Sequence, residues 1–257
     1  MKKASIQFLK WSPLYESEKP FQIFGNIHED SADQRKTNLA WHEEQVEVQD
    51  CRDNAHEFGL DSHGFAIRRM PTFTELSDRE AVIGKYIPAV KKMLQTELED
   101  VGTVFLFDWR IRESVNQVEA GSMINFSDQF QPLLPSNYAH MDTSPISVVR
   151  RIQESFPNEA AQILRQRVRA VNVWKPLSNP VDEWALAVCD GTTVSRDDLI
   201  ETDSIRQGNV SSHYYVRYNP DQKCIKQLWP VENPKPRRSI EVRTLIFSAQ
   251  VDAGQGA

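Results

Sequence analysis

His140, Met141 and Asp142 stand in a row, and the outer two carry the chemistry. Along a β-strand, residues i and i+2 point to the same face. An imidazole and a carboxylate placed in this way can share one divalent cation. Two histidines and one carboxylate around a metal with open positions form the donor set of non-haem iron(II) oxygenases. An HxD triplet also arises by chance, and its ordinary reading is a surface loop ahead of a helix starting at Ser144. Without a metal, the same two side chains make a general acid–base pair, because imidazole titrates near neutral pH.

Other polar groups read more simply. Asp61-Ser62-His63 and His28-Glu29-Asp30 fall in polar segments and are expected to be solvated loops, as are His42 and His56. Arg243 lies on the alternating stretch 239–247. Its ordinary reading is an edge-strand arginine paired with Glu241, which shares its face. Its functional reading is a fork for a dicarboxylate, since a guanidinium grips a carboxylate with two bonds and does so best when partly desolvated. Arg165, Arg167 and Arg169 read as a solvated helix end. Asp190-Gly191 is a turn signal. The chain has no GxGxxG, Walker loop, GxSxG elbow or HExxH.

The 257 residues suffice to bury a substantial core. With 40% hydrophobic and 26% charged residues, a net charge of −6 and a pI near 5.6, the balance is that of a globular protein. It argues against nucleic acid or an anionic membrane as partner. No apolar run approaches the roughly 20 residues that span a bilayer, and the first 20 residues lack a secretory h-region. Cys51, Cys189 and Cys224 are too few and scattered for a disulfide framework or a cysteine-rich zinc site. A cytoplasmic, reducing compartment is the expectation.

The elements that must position these residues are legible in outline. Residues 1–60 are expected to be an irregular extension with a short strand at 46–48. Ser77 and Glu80 form a capping box opening a helix with Ile83, Ile87, Val90 and Leu94 on one face, kinked at Pro88. Residues 104–107 read as a buried strand and 120–135 as a loop. Ser144-Pro145 opens a helix with Ile146, Val149 and Ile152 inward, and Asn158 caps another through Leu164. Strands are expected at 168–174, 184–188, 213–218 and 239–247. The expected class is α+β: helical N-terminal elements feeding a jelly-roll core. The expected division is one domain over 1–257, with an extension at 1–60, helical and β support at 61–130, the core at 131–248 and a flexible tail at 249–257.

Several strings together resemble one family. They are PLYESEKPF at 13–21, GLDSHGF at 59–65, VFLFDWRIR at 104–112, AHMDTSP at 139–145, RVRAVNVWKPL at 167–177, WALAVCDGTTV at 184–194, YYVRYNP at 214–220 and RRSIEVRTLIF at 237–247. In this order they resemble the fungal AsaB-type hydroxylase/desaturases, a family that includes gibberellin desaturase-like proteins and is similar to cephamycin methoxylation proteins. The resemblance implies a double-stranded β-helix oxygenase using iron(II) and 2-oxoglutarate on a small natural product. It implies His140 and Asp142 as metal ligands and Arg243 as partner of the 2-oxoglutarate carboxylate. It places Asn172, Trp174 and Tyr218 on core strands near the pocket.

The chain also departs from that pattern. Only the 18 residues 221–238 separate YNP from SIEVR, and none is histidine; in the family a longer interval carries the distal histidine. Trp109 stands where many relatives have histidine. His213, the only histidine after Asp142, is the candidate replacement, with an ordinary strand histidine as the alternative. Three readings remain at this stage. The first is an atypical oxygenase. The second is a metal-independent cyclase or isomerase on the same fold. The third is a non-catalytic pseudo-oxygenase working as a homodimer or paired with a homologue, its sheet edges left open by the shortened core.

Overall fold

The computed structural model describes residues 2–73, 76–114, 125, 128–177, 181, 183–206, 209–226 and 235–248. In chain order the elements are β1 (Lys2–Leu9), β2 (Phe21–Phe24), β3 (Trp41–Asp50), α1 (Leu60–His63), α2 (Arg79–Ala81) and, after a π-helical turn at Val82–Tyr86, α3 (Ile87–Glu97). There follow β4 (Thr103–Glu113), β5 (His140–Met141), α4 (Pro145–Ser155), α5 (Ala160–Ile163), β6 (Val168–Pro176), β7 (Ala187–Cys189), β8 (Leu199–Arg206), β9 (Asn209–Val216), β10 (Cys224–Lys226) and β11 (Arg238–Phe247).

The chain forms two compact units. One comprises Met1–Ile67, Ser136–Arg150 and Leu186–Gln227, the other Arg68–Pro135, Arg151–Ala185 and Leu228–Ala257. Each unit is built from three separated stretches, which follows from β-strands pairing with partners far along the chain.

The first unit holds two four-stranded sheets, in the orders β1-β3-β10-β7 and β2-β8-β9-β5. Residues 1–60, expected to be irregular, supply three of these strands. The alternation in β1 and β3 is masked by charged residues facing solvent, while Phe8, Val46 and Val48 face inward and pack with Cys224, Ala139 and Val216. The string GLDSHGF is a turn motif and not a loop of free polar groups. The Gly59 N–H donates to His63 Nδ1 at 3.2 Å, and Gly64 closes α1 at φ 80°, a left-handed conformation that favours glycine.

The second unit is built on a three-stranded antiparallel sheet ordered β4-β11-β6. β11 is therefore its central strand, not an edge. Its apolar face presents Ile240 and Val242, both fully buried, opposite Ile111 and Trp109 of β4. Trp109 itself is buried and meets Phe130 edge-on at 5.1 Å.

Three helical expectations need correction. The cap of α2 is Asp78, whose side chain accepts from the Ala81 N–H at 2.8 Å, and Ser77 donates to Asp78. The buried stripe is Val82, Tyr86, Val90 and Leu94, whereas Ile83 is 47% exposed. Proline removes an N–H and crowds the carbonyl four residues back. The widened π turn ahead of Pro88 accommodates this and lets residues four apart stay on one face. In α4, Ile152 is buried but Ile146 is exposed, and α5 follows Glu159, not Asn158, at its cap. The segment 227–234 between the YNP and SIEVR strings, the tail 249–257, and residues 115–124 and 126–127 of or beside the expected loop lie outside the described residues.

Candidate functional site

In the first unit, β9 positions the histidine–carboxylate pair. His140 registers opposite Tyr215 and Met141 opposite Tyr214 in the antiparallel β5–β9 ladder. β5 is only two residues long because Asp142 already bends away toward Ser144, the residue before α4. The two functional groups still meet, with His140 Nε2 3.5 Å from Asp142 Oδ1. On the other side of the ring, His140 Nδ1 lies 2.6 Å from the Tyr138 carbonyl. A carbonyl only accepts, so Nδ1 carries a proton. Backbone anchoring of the distal ring nitrogen in this way orients a metal-binding imidazole.

Around the pair lies an aromatic wall that sequence reasoning missed. Tyr215 meets Trp41 at 4.6 Å and His213 at 4.6 Å between ring centroids, and Trp41 meets Tyr138 at 4.5 Å. The Tyr215 hydroxyl accepts from Gln22 Nε2 at 2.8 Å, and burial raises its pKa. The only signal for this role was the string YYVRYNP itself. Tyr218, expected on a core strand, lies two residues past the end of β9 and is part-exposed, packing on Phe8 at 5.3 Å. The neighbouring Asn219 of the same string serves structure, donating to buried Asp198 at 3.3 Å.

His213 is 8% exposed on β9, across from Thr202 of β8. Desolvation, with the nearby His140 charge adding to it and Asp142 opposing it, lowers its pKa to about 4. It is therefore neutral at pH 7. Among the described residues, no three His, Cys, Asp or Glu side chains converge to hold a metal ion. The donors present fit two of the three protein positions of an iron(II) facial triad.

The other candidates lie in the second unit. Arg243 on β11 stands between Asp108 of β4 and Asn172 of β6. Its Nη1 donates to Asp108 at 2.9 Å and its Nη2 to Glu241 at 3.2 Å. Asn172, exposed on β6, donates to the other oxygen of Glu241 at 3.3 Å. Arg112 Nε donates to Glu241 at 3.4 Å. Trp174 lies beneath the Arg237 guanidinium at 5.5 Å, and Arg237 is buried, which lowers its pKa to about 10. Arg110 is buried and bonded to the Asp128 carbonyl. This face of the sheet thus sets Arg110, Arg112, Arg237 and Arg243 against the carboxylates of Asp108 and Glu241. Asp128 lies near Arg110 and Glu183 near Arg237, so these guanidinium groups are further compensated.

Comparison with known proteins agrees with this picture at the level of family and fold. The family model described as oxidoreductase/YMDC permease-like domain matches residues 6–229. The chain is similar to the Fe(II)/2-oxoglutarate-dependent dioxygenase nvfI of Aspergillus novofumigatus, at 24% identity over 84% of this chain and 88% of the relative. It is also similar to the hydroxylase/desaturase CTB9 of Cercospora beticola, at 31% identity over 74% of this chain and 57% of the relative. Aspirochlorine biosynthesis protein N of Aspergillus oryzae is 30% identical over 40% of this chain and 58% of its own length. The solved structure of the iron and alpha-ketoglutarate-dependent endoperoxidase NvfI superposes with a TM-score of 0.80 at 22% identity, covering 96% of this chain and 98% of that one. The fold is that of this oxygenase structure. No helix of the described residues is long and apolar enough to cross a membrane.

Proposed function

Because the chain belongs to the oxidoreductase/YMDC permease-like domain family, we propose that it is an atypical iron(II)/2-oxoglutarate oxygenase-like enzyme. It would hydroxylate, desaturate or close a ring on a small secondary metabolite. The observation that carries this reading is the His140–Asp142 pair, with its 3.5 Å separation and its imidazole held through Nδ1 on the Tyr138 carbonyl. An imidazole nitrogen and a carboxylate oxygen at this spacing are two donors that one divalent cation can share. His140 and Asp142 would hold iron(II), and the remaining positions would be completed by water, by His213 or by a partner chain. When bound, the metal supplies oxygen chemistry with 2-oxoglutarate as co-substrate, and the protein supplies binding and orientation.

The chain's own residues would then divide the work. The Tyr138 carbonyl fixes the imidazole ring. Trp41, Tyr138 and Tyr215 offer aromatic surface to an apolar metabolite. In the second unit, Arg243 is the residue that the family resemblance assigns to a 2-oxoglutarate carboxylate, with its guanidinium already held by Asp108 and Glu241.

Iron(II) and 2-oxoglutarate added without oxygen should give the weak visible charge-transfer band with about one iron per chain. His140→Ala and Asp142→Ala should each abolish it, and Arg243→Gln should weaken 2-oxoglutarate binding by about tenfold or more. A chain that takes up no iron overturns the oxygenase reading. The two-donor set, with no histidine in 221–238, favours a second reading, a metal-independent cyclase or isomerase using His140 and Asp142 as acid and base. Turnover of a pathway intermediate in the presence of chelator would identify it.

A further inference from the structure

Within the first unit, two three-residue strands set a pair of cysteines directly opposite each other. Cys224 of β10 registers against Cys189 of β7 in an antiparallel pair. Opposed residues in such a pair have Cα atoms about 4.5 or 5.5 Å apart, and both spacings fall within the span of a disulfide. Neither sulfur is in one here. The two thiols are close enough for their ionisations to be linked. The Cys189 S–H supports a thiolate at Cys224, while its hydrogen bond to the Cys224 sulfur, with burial, pushes Cys189 up.

Their surroundings differ in a way that orders a reaction. Cys224 is buried against Phe8, Val46 and Val48. Cys189 is half-buried, with the Thr193 hydroxyl and the Asp190 carbonyl each at 4.0 Å. A small oxidant from solvent reaches Cys189 first and finds Cys224 behind it. Cys51 packs with Phe58 and Ile225, and Ile225 points to the opposite face of β10 from Cys224. The third cysteine is thus not presented to the pair.

We propose that Cys189 and Cys224 form a reversible cross-strand disulfide that staples β7 to β10 when hydrogen peroxide is present. The Cys224 sulfur takes the Cys189 proton as the Cys189 sulfur attacks the O–O bond, gains one oxygen as a sulfenic acid and releases hydroxide. The Cys224 sulfur then attacks that sulfenic sulfur, forms the S–S bond and displaces the oxygen, which leaves as water with the Cys224 proton. Two thiols lose two electrons in all, and one peroxide is reduced to two waters. The covalent ring it closes contains β8 and β9, the latter being the strand on which His140 registers.

The test titrates the reduced full chain with hydrogen peroxide under native conditions, followed by intact mass, thiol count and non-reducing peptide mapping. The expected result is loss of two hydrogens per chain, loss of two of the three thiols and a linked Cys189–Cys224 peptide, all reversed by dithiothreitol. The unfolding midpoint should rise by roughly 5 °C or more on oxidation. Cys51→Ser should behave like the unaltered chain. Cys224→Ala should stall at a Cys189 sulfenic acid that dimedone traps. A linkage through Cys51, a disulfide between chains, a Cys189 adduct that never passes to Cys224, or retention of all three thiols would each overturn the proposal. The mass readout uses the unaltered chain, so it decides the matter even if Cys224→Ala fails to fold.

Discussion

Glu241 accepts hydrogen bonds from Arg112, Arg243 and Asn172 at 3.2–3.4 Å while its own side chain is only 13% exposed. At this burial a carboxylate among guanidinium groups stabilises the sheet less by its own attraction than by keeping those cations compensated. Replacing it with the isosteric amide removes the charge and keeps the shape. Glu241→Gln is expected to lower stability by about 2 kcal/mol, read as a shift of the urea midpoint at constant slope. An unchanged midpoint would show that Arg112 and Arg243 are compensated by other groups.

At the scale of elements, β11 bears the second unit's sheet because it pairs on both sides, with β4 and with β6. A strand flanked in this way cannot shift register without exposing its whole apolar face. Ile240 is fully buried on that strand. Ile240→Ala leaves a cavity that neighbouring strands cannot fill by sliding, and should cost about 3 kcal/mol, measured by chemical denaturation. The alternation of β11 was readable in SIEVRTLIF, but its central place was not. A period of two reports which residues share a face and is silent about how many neighbours the strand has. The same limit explains β1, β2, β8 and β10. Their charged or short sequences carry too little alternation, and it is their pairing with each other, and of Trp41–Asp50 with distant β10, that makes strands of Lys2–Leu9 and Trp41–Asp50.

For the whole molecule, pH acts through buried His213. Its folded pKa, near 4, lies below the ordinary value of 6.5 because burial penalises the charged ring. Between those values the unfolded chain binds a proton that the folded chain does not, so stability rises with pH. The contribution is complete above about 6.5 and is lost as pH falls toward 4, a difference on the order of 3 kcal/mol. Unfolding midpoints measured from pH 7.5 down to 4.5 should fall along this window, and His213→Asn should flatten the decline. An equally steep decline in the variant would assign it to other groups.

By itself, the sequence determined the pairing of His140 with Asp142, the shared face of Glu241 and Arg243, the start of α4 at Pro145 and the family, because each rests on spacing within a few residues or on long specific strings. Tertiary structure decided the rest. It turned an irregular N-terminal stretch into three strands, made β11 central, buried Trp109 and His213, built the aromatic wall of Trp41, Tyr138 and Tyr215 around His140, and faced Cys189 with Cys224. Each of these depends on segments distant in the chain meeting in one sheet or core. That meeting is fixed by burial of apolar surface and pairing of backbone groups summed over the fold, which no local spacing encodes.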